Sequence, residues 1–303
     1  VMDELLDQAM PLLTDMLQRP TFLDLDQERE VVLEEIAMYE DDPQDQIHDL
    51  ASLAVFAPWL STDPLKQNTI NRLRPPSFDR FWFGTDQYGR DIFARTLHGA
   101  RVSLVVGITV AAISAVLGLA LGIVCGYFRR VDAIVMRVMD GIMAIPSILL
   151  AIALITLTRA SVFIVIVAIV IPEVPRVVRV VRSVVLSIRA QPYIDSAIAG
   201  GTRGFKLLAR HVLPNTLAPL IVQATYICAA GMLIEAGLSF LGAGVPLEIP
   251  SWGNIIAQGR SFFQRAPWCI FIPGAFLALT VLAVNLLGDG LRDRLDPRLA
   301  RRM

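Results

Sequence analysis

The feature that most constrains this chain is the run Val102–Phe128, 27 residues without a charge and rich in Gly, Ala, Val and Leu. A helix needs about 20 mostly apolar residues to cross roughly 30 Å of hydrocarbon. Four further segments approach the same condition. Ala133–Thr158 is interrupted by Arg137, Asp140 and Pro146, and Ser161–Pro175 runs into the basic stretch Arg176–Arg182. Leu217–Leu241 is marked by Glu235, and Pro267–Leu287 stays apolar up to Asp289. A shorter run, Leu50–Leu60, is about half a span. The expectation is an all-α, polytopic membrane protein with about five full spans plus a truncated first span. With 54% hydrophobic and 18% charged residues and a mean hydropathy of +0.57, the chain departs from the roughly 45–50% and 25% of an ordinary soluble domain. Cys125, Cys228 and Cys269 sit singly in apolar runs, a pattern of neither a disulfide framework nor a thiolate metal site. No metal and no cofactor is expected.

The net charge of −1 conceals two materials joined near residue 50. Residues 1–50 hold fifteen Asp/Glu against two Arg, whereas the rest holds thirteen acids against twenty-five Lys/Arg. Residues 1–20 have neither a basic start nor a continuous apolar core, so they do not read as a secretory signal. Lys and Arg beside the spans set orientation. Arg129 and Arg130 mark one inside loop. Arg176, Arg179, Arg182, Arg189, Arg203, Lys206 and Arg210 mark a second, and Arg292, Arg294, Arg298, Arg301 and Arg302 mark the tail. These alternate correctly and put the C-terminus in the cytoplasm. Residues 61–101, on the outside by this count, also hold several Arg and break the pattern. The basic residues are read as orienting the chain in a lipid bilayer, and no nucleic acid is expected among its partners.

The long inside loop, about 183–215, carries the most information. Tyr193–Ala199 reads as a short amphipathic helix, Gly200 and Gly201 as a break, and Phe205–Leu213 as a second helix. Pro214 then opens the next span, where a missing N–H costs nothing. A helix, break and helix projecting from a membrane domain suit docking better than catalysis; a plain interfacial linker with a basic face has the same spacing. Gly200–Leu207 fails as a phosphate loop, with Phe205 between glycine and lysine and Leu207 where Ser or Thr is needed.

This stretch resembles the coupling loop of bacterial ABC-type import permeases, whose pattern is Glu-Ala-Ala, three residues, Gly, nine residues, Ile-x-Leu-Pro. Asp195, Ser196 and Ala197 stand for the triplet, Gly201 for the glycine, and Leu213-Pro214 for the ending, with His211 at the Ile position. Arg210–Asn215 is similar to the dipeptide/oligopeptide branch. So are Phe83–Ile92, Gly99–Leu104, Glu235–Gly242, Pro250–Gly253 and Asn285–Pro297. The resemblance covers about residues 51–303. It implies one permease of a pair lining the path for di- or oligopeptides across a bacterial inner membrane. A second permease subunit, two ABC ATPase subunits and an external substrate-binding protein are the implied partners. The coupling helix, with Tyr193 and Ile194 at its start, would sit in a groove on an ATPase, whose closure would rock the spans. The chain itself would be no enzyme. Related permeases that import nickel or another small solute share these blocks and stand as the alternative.

Ionisable residues inside spans are functional candidates, because an uncompensated charge there costs several kcal/mol. Arg137 and Asp140 lie three apart on one helix face and are read first as a mutual pair, second as a substrate contact. Glu235 opens one of the blocks similar to that branch, and a structural role at the outer gate is as open for it as a substrate contact. Met136, Met139 and Met143 form a stripe that more often means packing. Pro146 and Pro172 are expected to kink their helices.

The acidic front, residues 1–49, is expected to be helical over 28–42, capped by Asp26 and stopped by Pro43. Glu28–Leu50 also resembles part of a pitrilysin/insulinase-type zinc peptidase, with Glu35 matching that family's downstream zinc-site glutamate. The histidines are His48, His98 and His211, and none forms His-x-x-Glu-His. One carboxylate cannot hold a catalytic zinc, which takes about three protein ligands. A membrane-anchored zinc peptidase is therefore disfavoured, and the segment reads as an inactive fragment standing where the family has its first span. Residues 50–303 form the transport domain. A recombined or artificially joined reading frame and a mis-assembled sequence each account for the join.

Overall fold

The computed structural model describes residues 63–78, 81–157, 161–202 and 204–295. The acidic segment 1–49, the half-span Leu50–Leu60, Arg203 and the tail cations Arg298, Arg301 and Arg302 lie outside the described residues. Within them the chain is helical, with two isolated bridge pairs, Ser77 with Phe81 and Thr85 with Asp91, and no strand.

Helix α1 spans Ile92–Tyr127. Its first turn is fixed by Asp91, whose carboxylate accepts the Phe93 N–H at 3.0 Å. The sequence places a span from Val102, but the helix begins ten residues earlier, at Ile92, and its first turns are buried within the protein. Helix α2, Arg129–Met143, follows after the single residue Phe128, and α3 covers Ser147–Thr156. The two are bent by 85° at the break Ala144–Pro146, where Pro146 has no N–H to continue the ladder. The expected span Ala133–Thr158 is thus one broken span or a re-entrant loop.

Helix α4 runs from Val162 to Arg189, capped by Ser161. Pro172 and Pro175 lie inside it without ending it, as neighbouring helices permit in membrane proteins. After α5 (Pro192–Ala199), a helical turn at Phe205–Leu207 and a π-turn at Leu208–Val212 lead into α6, Leu213–Phe240. Helix α7 is Trp252–Gly259 and α8 is Trp268–Leu295. Among the described residues, three helical stretches are long and apolar enough to cross a membrane: α1, α6 with its π-turn, and α8. Counting the bent pair as one gives four. Ser161–Pro175 forms only the first half of α4, and the remainder carries Arg176, Arg179, Arg182 and Arg189.

The core lies where α1, α4 and α6 meet. Gly118, Gly122 and Gly126 of α1, one turn apart, face Val177, Val181 and Val185 of α4. A Cβ on these glycines would stand 2.3 to 2.7 Å from valine side-chain carbons. Small residues every four positions let backbones approach closely, which drives helix association where lipid removes the hydrophobic effect. About three turns nearer the start of α1, Gly107 faces Met232 and the Cys228 carbonyl of α6.

Candidate functional site

The loop end of the bundle matches the expected helix, break and helix. Pro192 begins α5 at a position that needs no N–H. The helix ends in a Schellman closure: Gly201 donates to the Ile198 carbonyl and Thr202 to the Ala197 carbonyl, both at 2.9 Å. Gly201 has φ +88°, a left-handed conformation that favours glycine. Ile194 is buried and Ala197 packs beside the core. Tyr193, Asp195, Ser196 and Ile198 are exposed. One inward anchor and an otherwise open face make α5 a presented helix.

The return path is anchored by Leu207 and Val212, both buried. Leu213 donates to the Leu208 carbonyl, closing the π-turn. Pro214 follows directly and has no N–H for the residue four back, so the wider turn accommodates the missing bond. His211 sits in this turn with its carbonyl accepting the Asn215 side-chain N–H at 2.7 Å, and Arg210 is exposed. Beside the loop, a cleft of about 1010 Å³ opens between α4, α6 and α8, reaching Gln191, Tyr193, Asn215, Tyr226 and Arg292.

The ionisable candidates separate. Asp140 does not pair with Arg137; it accepts a hydrogen bond from Arg179 Nη2 of α4 at 2.7 Å. Arg137 is exposed and in no ion pair among the described residues. The residue spacing was right for a helix face, but the face turns toward a helix 39 residues away. Met139 of the methionine stripe is buried, whereas Met143 is 36% exposed.

Glu235 is fully buried near the opposite end of α6. Its carboxylate accepts from Ser239 at 2.8 Å, from Ser251 at 2.8 Å and from Ser103 at 3.3 Å. These hydroxyls come from α6, the cap of α7 and α1. Burial of a carboxylate is tolerable where its lone pairs are met, and Glu235 stitches three elements together. Trp252 lies beside this hub, fully buried, and donates to the Thr96 carbonyl at 3.0 Å.

Sequence reasoning missed three arrangements. Asp86 accepts from Arg90 Nε and Arg95 Nη1, both at 2.6 Å, and Gln258 of α7 completes the cluster. Two of the arginines that break the orientation pattern in 61–101 are therefore internal to the fold. Just before α1, burial raises the Asp91 carboxyl above its ordinary value, against the Phe93 and Ala94 N–H groups. Glu173, hidden between Pro172 and Pro175, is buried and held by Arg176 Nη1 at 2.9 and 3.1 Å; a lone acid three residues before an arginine was the available signal. Arg189 donates to the Gly126 and Tyr127 carbonyls at 2.8 and 3.1 Å and lies over the Tyr127 ring, capping the end of α1.

Residues 118–301 match the family described as binding-protein-dependent transport system inner membrane component. A probable peptide ABC transporter permease protein of Sinorhizobium fredii is 57% identical over 250 residues, 82% of this chain and 86% of the relative. The dipeptide transport system permease protein of Alkalihalophilus pseudofirmus is 43% identical, with 82% of each chain covered. The oligopeptide transport system permease protein of Bacillus subtilis is 38% identical, also with 82% of each chain covered. Among solved structures, an inward-facing MetNI methionine ABC transporter chain aligns with a TM-score of 0.56 at 20% identity, over 68% of this chain and 98% of that one. That likeness concerns the fold.

Proposed function

Since the chain belongs to the binding-protein-dependent transport system inner membrane components, we propose that it is the permease subunit that forms, with a second permease, the path of di- or oligopeptides into the cell. Two ABC ATPase subunits supply the energy and an external substrate-binding protein delivers the peptide. The peptide-transport functions named for the relatives favour peptides over nickel or another small solute. Helix α4, long enough at 28 residues to cross although its second half carries arginines, serves as a further span, giving about five with the bent pair. The arginines flanking the spans orient the α5 end and the C-terminus toward the cytoplasm. Residues 1–49 take no part in transport.

The observation that carries this reading is the presented helix α5. It is closed at its end by Gly201 and Thr202, anchored by Ile194 with Ala197 beside it, and exposes Tyr193, Asp195 and Ser196. Such a helix is rigid enough to transmit a push and open enough to enter a groove. Asp195, Ser196, Ala197, Gly201, Arg210, His211, Leu213 and Pro214 are assigned to the ATPase contact and its support. Deleting Tyr193–Gly200, or replacing Gly201 by Pro, is expected to abolish peptide uptake with the chain still in the membrane. Normal uptake with normal ATPase association in either variant rules the assignment out.

A further inference from the structure

We propose that the arginine face of α4 is a clasp that carries movement of α5 to the bend between α2 and α3, with Arg182 and Arg179 as positioning residues. The inference rests on the reading of α5 as the coupling helix. Only Ala190 and Gln191 separate α4 from α5, so a displacement of α5 reaches α4 directly. Helix α4 cannot slide on α1, because Val177, Val181 and Val185 fill the hollows over Gly118, Gly122 and Gly126. Arg189 also grips the end of α1 through two carbonyls. These two helices move as one body.

Helix α2 is held differently. It joins α1 through Phe128 alone and buries only Met139. Val135 and Met136 are partly buried against the core, and two ion pairs tie α2 to α4. Arg182 grips both Asp132 oxygens, through Nε and through Nη2 at 2.7 Å, and Arg179 holds Asp140 at 2.7 Å. The two aspartates lie eight residues apart, about 12 Å along the helix, so the pairs fix the rotation of α2 as well as its distance. Asp140 lies four residues before the break at Ala144. On the α4 side of that break, a cleft of about 330 Å³ separates Met143, Ile145 and Pro146 from Pro172 and Arg176. There is room for the 85° bend to change. The Arg179–Asp140 pair is half-exposed and adds little stability, whereas the Arg182–Asp132 pair is partly buried and grips both oxygens, so the geometry assigns the two a directing role with Arg182 as the firmer hold.

The test uses the full-length chain coexpressed with its partner subunits and supplied with the binding protein. Asp132→Arg, Arg182→Asp and the double exchange are compared for assembled complex, ATP hydrolysis and peptide transported per ATP. Each single variant is expected to lower peptide per ATP by about tenfold with assembly and hydrolysis retained. The double exchange is expected to return the ratio to within about twofold of wild type. A wild-type ratio in both single variants, or a double no better than either single, overturns the proposal. Where a charge reversal blocks assembly, Asp132→Asn and Arg182→Gln give the same readout, and a wild-type ratio in both is equally decisive. Loss of uptake on deleting Tyr193–Gly200 beside wild-type ratios in the clasp variants would sink the clasp alone; normal uptake in the deletion would sink the coupling reading itself.

Discussion

At the scale of single residues, the polar groups that matter are those whose partners leave no alternative. Glu235 is the clearest, because removing its carboxylate orphans the hydroxyls of Ser103, Ser239 and Ser251 in a buried place. Glu235→Ala is expected to cost about 1–3 kcal/mol for each hydroxyl that finds no other acceptor. Glu235→Gln keeps an acceptor and should cost less. Thermal unfolding of the detergent-solubilised complex measures both, and equal midpoints for Ala and wild type would contradict the hub. Gly201 makes a second case. At φ +88° a side chain is strained by roughly 1–2 kcal/mol, and Asn tolerates this region better than Val. Uptake should therefore fall in the order glycine, Gly201→Asn, Gly201→Val, and an inverted order would show that the left-handed closure is not what matters. Gly201 was legible in the sequence because its spacing from Asp195 and Pro214 is local. Arg179 as the partner of Asp140 and Gln258 as a partner of Arg95 were not, since they stand 39 and 163 residues away, and periodicity along one helix cannot say which neighbour its face meets.

Among the elements, composition located the apolar helices but not their ends or bends. Val102–Phe128 marked the lipid-like part of α1, while the polar turns from Ile92 were hidden because they are buried against Asp86, Trp252 and the α7 cap. Pro146 marked a break, and only the structure gives its 85°. Pro172 did not end α4. The glycines every four residues in α1 were a readable signal for close packing, but their opposite numbers in α4 were not identifiable from spacing. That packing has a consequence. Gly122→Leu must push α1 from α4, since even a Cβ would lie 2.6 Å from Val181 Cβ, and overpacking costs about 1–3 kcal/mol. A lowered unfolding midpoint is expected, with partial recovery when Val181→Ala is added. No recovery would place the strain elsewhere.

For the whole molecule, the account divides the chain into a transport domain from residue 50 and an acidic front of net charge −13 over residues 1–50. Acidic side chains cost about 2.5–3.5 kcal/mol each at a bilayer centre, so the proposed function keeps this front out of the transport path. Removing residues 1–49 should leave transport unchanged, and replacing them by a short basic start and about ten apolar residues should raise assembly by completing a span of about 20. Loss of uptake on truncation would assign the acidic segment to the working protein. Reconstitution tests whether this chain is the membrane path of an ATP-driven peptide importer. The complex is purified through this chain, placed in liposomes, and supplied with a binding protein and a labelled di- or tetrapeptide. Peptide is expected to accumulate only with ATP and to stop accumulating when Tyr193–Gly200 is deleted. Accumulation indifferent to ATP, or unchanged by that deletion, would contradict it.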